Sequence, residues 1–397
     1  MVNSTLDSAR RNIDQEKLQE RKKLLICIDW FDPAFKAGGP IRSCVNLANQ
    51  LSGYYDIYVL TGDRDLGSAI VLEGITFNCW LQHTSGSKVW YASSGTVNSA
   101  FIKSMITSLK PDYIYLNSMF SKTFTIDVIA AHRKLKNSAK IILAPRGMLK
   151  PSALAVKPLK KKIFFFIVNI LKTYKAVHFH ATNEAEAAEV KNIFRHSAVS
   201  IADNFPAAIS ENPLPLAKTP GQLMLVLVGR IHPIKSIDFL LQQLYFITGK
   251  VQLDIIGVQE EQDYFQRCQA IAEGLPKDIS VRFTGELPHQ LLDTALTNHH
   301  LFVLPTTGEN FGHAIAEALG NGRPVLISDQ TPWRDLKPNN AGWDYPLSSP
   351  LLFQQALQEA VYWDQVSFDK YCKGALAFAR TKQDTKKLIH QYQQLFN

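Results

Sequence analysis

Between Leu301 and Ser328 the chain reads as strand, loop, helix and strand, and no other stretch restricts the fold as much. Leu301-Phe-Val-Leu304 is a short apolar run bounded by Pro305, the pattern of a strand buried on both faces. A turn-rich loop follows, and a helix is predicted from about Gly312, with Ile315, Ala318 and Leu319 forming its apolar stripe. Gly320 to Pro324 stop that helix before a second buried strand, Val325 to Ser328. Two buried strands joined through a helix form a βαβ unit. Its loop lies at the carboxyl end of the first strand, where the free N–H groups of the helix's first turn favour an anion such as phosphate.

The same alternation runs along the rest of the chain. Strands are predicted at 23–28, 55–60, 113–116, 140–144 and 176–179, with helices over 41–51, 97–109, 124–135 and 183–193. A proline-rich polar break covers 206–221, and a second series follows: strands at 223–228, 251–256 and 279–283 and helices from Ile237, over 260–272 and from Pro288. The expected fold class is α/β, two Rossmann-like doubly wound parallel-sheet domains facing a cleft. The expected boundaries are 1–205, beginning with a polar extension over 1–22, then the 206–221 linker, a ligand-binding domain over 222–366, and a helical segment over 367–397.

Polar residues gather at the predicted strand ends. Glu309 precedes the Gly312 helix and Glu317 lies about one and a half turns inside it. A carboxylate accepts hydrogen bonds from vicinal hydroxyls, which suits both positions to a sugar or a ribose; chance glutamates on a solvated helix are the other reading. Val228-Gly-Arg230-Ile-His-Pro-Ile-Lys235 also joins a strand to a helix. Arg230 offers a planar fork and Lys235 a compact charge, enough to neutralise a diphosphate without a divalent metal. Gly38-Gly39, before a helix with Pro40 in its first turn, lets backbone approach a ligand or merely serves a tight turn. Arg146 in Ala144-Pro-Arg-Gly is read either as a second phosphate site, as on a lipid-linked acceptor, or as a cap on a turn.

Taken together, Gly-Arg-x4-Lys followed by Glu-x7-Glu with Phe311-Gly312 between the glutamates resembles the pattern of family 4 glycosyltransferases, retaining enzymes of the GT-B fold. The likeness is strong from Leu223 to Ser328 and loose before Ile201. It extends to Gly38-Gly39, to Asn204-Phe-Pro at the domain junction and to Phe283-Thr-Gly285-Glu near a nucleotide base. By resemblance, Arg230 and Lys235 bind the donor diphosphate, Phe311 and Gly312 supply backbone N–H groups, Glu317 holds the ribose and Glu309 the transferred sugar. Gly38, Gly39 and Gly285 complete the donor site, and the final helix packs back on the first domain. Many members carry a histidine after Pro-Asp-x4 in the first domain. Here Pro111-Asp-Tyr-Ile-Tyr-Leu-Asn117 has asparagine, which can donate a hydrogen bond but cannot carry a proton.

The resemblance implies a retaining, metal-independent hexosyltransferase with a nucleoside diphosphate-sugar co-substrate and no resident cofactor, acting on a saccharide or lipid-linked saccharide as in cell-surface polysaccharide synthesis. A non-catalytic nucleotide-sugar-binding or scaffold protein and a GT-B sugar-nucleotide epimerase are the rival readings. The five cysteines are scattered without a C-x-x-C pair, and His178, His180, His232, His299 and His300 lack a metal-ligand setting. A net charge of +8 suits an anionic partner. Residues 157–175 place lysines beside an aromatic apolar block, suited either to an anionic membrane surface or to a buried helix. That block lacks the spacing for stacking bases, so no nucleic acid is expected. No apolar leader and no run of about 18 apolar residues occurs, making a cytoplasmic location, peripheral on the inner membrane face, the expectation.

Overall fold

The computed structural model describes residues 21–136, 138–155, 158–211 and 215–397. Most of the 1–22 extension, Lys157 and residues 212–214 of the linker lie outside the described residues.

The first domain is one sheet of β1 (Lys23–Cys27), β2 (Asp56–Gly62), β3 (Trp80–Gln82), β4 (Lys88–Ala92), β5 (Tyr113–Leu116), β6 (Lys140–Leu143), β7 (His178–Ala181) and β8 (Val199–Ile201), in the order 3-4-2-1-5-6-7-8. All neighbours are parallel except the β3–β4 edge pair. The second sheet comprises β9 (Gln222–Val228), β10 (Lys250–Ile256), β11 (Ile279–Gly285), β12 (Leu301–Leu304), β13 (Val325–Ser328) and β14 (Gly342–Tyr345), parallel throughout in the order 11-10-9-12-13-14. Both are doubly wound, as expected. The strand order reverses beside β1 and β5 in one sheet and beside β9 and β12 in the other. Crevices open at such switch points. The loops after these four strands carry Gly38-Gly39, Asn117, Arg230 with Lys235, and Glu309 with Phe311-Gly312.

Among the described residues, four strands and two α-helices exceed the expectation: β3, β4, β8, β14, Pro151–Ala155 and Pro350–Tyr362. The segment over 367–397 also divides. Helix Gln365–Thr381 buries Phe368, Ala375, Phe378 and Ala379 in the core of the second domain, where its apolar stripe belongs. Helix Thr385–Phe396 places Leu388, Tyr392, Leu395 and Phe396 in the core of the first domain, the Phe396 ring 5.3 Å from both Tyr55 and Tyr113.

Helix Pro158–Ile170 turns Phe164 and Phe165 against the first domain and buries Val168. Its other face is exposed, so the buried-helix reading of this segment accounts for only one side. Among the described residues no helix is long and apolar enough to cross a membrane.

Candidate active site

A cavity of about 580 Å³ lies between the two sheets and is lined by Gly38, Gly39, Arg42, Arg146 and Lys150 on one side and Arg230, Lys235, Glu309, Phe311, Gly312 and Glu317 on the other. Gly285 is not brought into it. That glycine ends β11 with φ 75°, its carbonyl accepting from Gly257 N at 2.8 Å, and the neighbouring Glu286 lines the cavity instead.

Glycines shape both approaching helix termini. Gly38 has φ 65° at the N-cap of helix Gly39–Leu51, a conformation that side chains other than glycine's strain to adopt. Gly312 has φ 80° at the N-cap of helix His313–Gly320, and a Cβ there would stand 2.9 Å from Ile315 Cδ1. The Phe311 carbonyl accepts from Trp333 Nε1 at 2.6 Å, which fixes the last loop residue before the helix.

The charged residues are matched in pairs. Lys235 Nζ donates to Glu309 Oε1, both side chains 14% exposed, so the two candidate catalytic groups meet in the cleft. Arg230 Nη1 instead pairs with Glu260 at 2.6 Å on the more exposed rim. Glu317 is buried, and burial pushes its carboxyl up to about 7 against the opposing field of Arg42, with Asp293 adding to the rise. Arg42 Nε stands 3.5 Å from Glu317 Oε1, yet neither atom makes a hydrogen bond.

Asn117 is 1% exposed and fully engaged: its Nδ2 donates to the Pro40 carbonyl at 3.2 Å and its Oδ1 accepts from Arg146 Nε at 2.8 Å. Arg146 also donates to Asn204 Oδ1 and, at 2.7 Å, to the Tyr115 hydroxyl. Its fork therefore ties its own segment to the β5 end and to Asn204 through side chains, while the residue still borders the cavity.

Several lining residues escaped the sequence reading because their roles lie across the domain boundary. Ser43 Oγ and His313 Nε2 share a hydrogen bond of 2.8 Å, and burial with the positive fields of Arg146 and Arg42 pushes the imidazole down to about 3, leaving it neutral. Lys36 pairs with Glu286 at 2.7 Å, Lys150 Nζ donates to the Glu309 carbonyl at 2.8 Å, and Asn310 Nδ2 donates to Thr182 Oγ1 at 3.0 Å. Behind Thr182, the buried Glu186 carboxylate accepts from Gly147 N at 2.6 Å and Thr182 N at 2.8 Å. His313 stands beside Phe311-Gly312 in the motif, which was the one available signal. Among the described residues no three His, Cys, Asp or Glu side chains converge in a metal-ligating group.

No curated protein matches the sequence. Among solved structures, Anabaena Alr3699/HepE in complex with UDP and glucose shares 16% identity at a TM-score of 0.65, covering 94% of this chain and 99% of that one. Sucrose-phosphate synthase from Thermosynechococcus elongatus shares 15% at 0.67, covering 95% and 99%. WaaG, a glycosyltransferase involved in lipopolysaccharide biosynthesis, shares 13% at 0.60, covering 93% and 98%. Residues 222–361, which hold Arg230, Lys235, Glu309 and Glu317, match the family model described as Glycosyl transferases group 1. The chain accordingly has the GT-B fold, and its second domain matches the Glycosyl transferases group 1 model.

Proposed function

We infer that this protein transfers a hexose, with retention and without a divalent cation, from a nucleoside diphosphate-sugar to a saccharide or lipid-linked saccharide, as in cell-surface polysaccharide synthesis. The observation that carries the reading is the Lys235–Glu309 pair, set before the N-terminus of helix His313–Gly320 in a cavity shared by both domains. Breaking the bond between the anomeric carbon and the diphosphate oxygen sends negative charge onto the leaving group. Lys235, Arg230 and the helix N-terminus are the groups placed to meet that charge. Glu309 serves the sugar hydroxyls, and Glu317 the ribose, with Gly38, Gly39, Phe311 and Gly312 giving backbone access. The complex of Alr3699/HepE with UDP and glucose supports a UDP-sugar donor. The exposed apolar stripe and lysines of helix Pro158–Ile170 support work at the cytoplasmic membrane face.

A second reading keeps the cleft but not the chemistry. Asn117 cannot move a proton and is locked between Arg146 and Pro40, which would suit a nucleotide-sugar sensor. Incubation with UDP- and GDP-sugars decides. Slow release of free sugar with its configuration kept supports transfer, a changed sugar on the nucleotide marks an epimerase, and binding without turnover marks a sensor.

A further inference from the structure

Two helix N-termini meet at His313. The residue opens helix His313–Gly320, and a Cβ on Gly39, the first residue of helix Gly39–Leu51, would stand 3.6 Å from His313 Cδ2. The first backbone N–H groups of a helix have no partner inside it and carry its positive end. Burial, with the positive fields of Arg146 and Arg42, keeps the imidazole itself neutral. The corner therefore favours an anion and refuses a further cation.

Only half of the imidazole is used. His313 is 9% exposed and lines the cavity, its ring centroid 4.8 Å from that of Phe311. Nε2 shares the 2.8 Å hydrogen bond with Ser43 Oγ across the domain boundary, while Nδ1 is shut off from bulk water and has no partner among the described residues. Ser43 is buried, and among the described residues its hydroxyl makes no other hydrogen bond. Two tautomers are open to such a pair. If Nε2 carries the proton, the serine hydrogen and the bare Nδ1 are both left unsatisfied; if the serine donates to Nε2, only the Nδ1–H remains. Each unpaired buried group costs stability, so the count assigns the proton to Nδ1. The result is a neutral N–H donor beside the first turn of a helix, a group that meets negative charge without bringing a charge of its own.

We propose that His313 binds the diphosphate of the donor through its Nδ1–H, and that Ser43 of the first domain is the positioning residue that holds this tautomer. The side-chain N–H then joins the backbone N–H groups of His313 and Ala314 at the same helix end, and Ala314 also lines the cavity. Because the serine and the histidine belong to different domains, the donor is set only while the two domains face each other. This inference rests on the nucleoside diphosphate reading of the cleft and adds a residue to it.

The test uses the full chain with whichever of UDP and GDP it binds more tightly, set against the matching nucleoside, which lacks only the diphosphate. His313→Leu, close in size but without a donor, should weaken the nucleotide about tenfold or more and leave the nucleoside within about twofold. His313→Asn brings an amide N–H near the position of Nδ1 and should restore most of the loss. Ser43→Ala should weaken the nucleotide by roughly threefold and add nothing to His313→Leu, because the serine acts only through the histidine. Nitrogen-15 NMR of the wild-type imidazole should find its proton on Nδ1. Nucleotide bound equally by wild type and His313→Leu, a parallel loss for nucleotide and nucleoside, or a proton on Nε2 would each overturn the proposal. Failure of the transferase reading looks different: a protein that binds nucleotide through His313 yet releases no sugar from UDP- or GDP-sugars keeps this contact and loses transfer, whereas a wild type that binds neither UDP nor GDP overturns both.

Discussion

Arg42 Nε on the first domain stands 3.5 Å from Glu317 Oε1 on the second, both atoms shut away from water and neither hydrogen-bonded. Two buried groups of opposite charge attract across that gap, but the hydrogen-bonding capacity of each is unspent. A pair of ribose hydroxyls has the donors the carboxylate lacks. The contact is also one of the links by which the two domains hold the cleft, along with Ser43–His313 and Lys36–Glu286.

The burial of Glu317 gives stability a pH dependence of defined sign. Its carboxyl is pushed up to about 7 in the folded protein, against 4.5 ordinarily. Between those values the folded state holds a proton that the unfolded state has lost, so this residue makes stability fall as pH rises through the window. His313, pushed down to about 3, and His289, down to about 4, work in the opposite sense, adding stability as pH rises towards 6.5. The raw profile blends these, so the difference between wild type and Glu317→Gln is the informative quantity. The variant should gain relative stability from pH 4.5 to 7, by at most about 3 kcal/mol. Urea titrations at several pH values measure it, and a flat difference would remove Glu317 as the source.

Phe396, fully buried though next to the last residue, closes the first domain's core against Tyr55, Tyr113 and Tyr115. Phe396→Ala should destabilise that domain by about 3–5 kcal/mol. Amide exchange is the suitable readout: β1 and β5 should lose protection while β9 and β12 keep theirs. Uniform loss over both sheets would mean that the domains unfold as one unit.

The second domain was almost wholly legible because its strands are short apolar runs ended by Pro or Gly and its helices carry clean stripes. β14 was missed for a physical reason. It opens with Gly342 at φ 129°, where a Cβ would collide with the Val325 carbonyl at 1.8 Å, so a residue that reads as a loop marker is there to let two strands approach. β3 and β4 hide among Ser, Gly and Trp residues of the first sheet's edge, where alternation is weak. At the site, Lys235 and Glu309 were readable from strand-end motifs. Arg42, Ser43 and Lys150 were not, because nothing local distinguishes them and their partners lie more than a hundred residues away in the other domain.

Donor turnover is expected to persist in EDTA. On the proposed reading, Lys235 and Arg230 line the cleft at the strand ends where charge on a diphosphate must be met. Rates of UDP-sugar hydrolysis with EDTA, and then with added Mg²⁺ or Mn²⁺, check this; a large loss restored by either ion would assign the charge neutralisation to a metal.

Lys235 and Glu317 should fail in different ways. If Lys235 stabilises charge that grows on the departing diphosphate, as the proposed reading has it, Lys235→Ala should act mainly on kcat, by roughly 2.7–4 kcal/mol if it matches the loss of one oxyanion donor. The same change leaves the Glu309 carboxylate without its cation, which repels the donor and adds a smaller rise in KM. On the proposed reading Glu317 holds ribose hydroxyls alike in ground and transition states and so contributes uniform binding. Glu317→Gln should therefore raise donor KM more than it lowers kcat, since the amide keeps one acceptor and loses the charge-assisted bond. Lys235→Met separates charge from packing, because it keeps the methylene stem against Gly229, whose Cβ position would lie 3.3 Å from Lys235 Cε, while removing the charge. Steady-state kinetics over a donor series, with circular dichroism as the folding control, decides between the roles. Unaltered kinetics in both variants would mean that the donor binds elsewhere, whereas an unfolded Glu317→Gln protein would make Glu317 a structural residue.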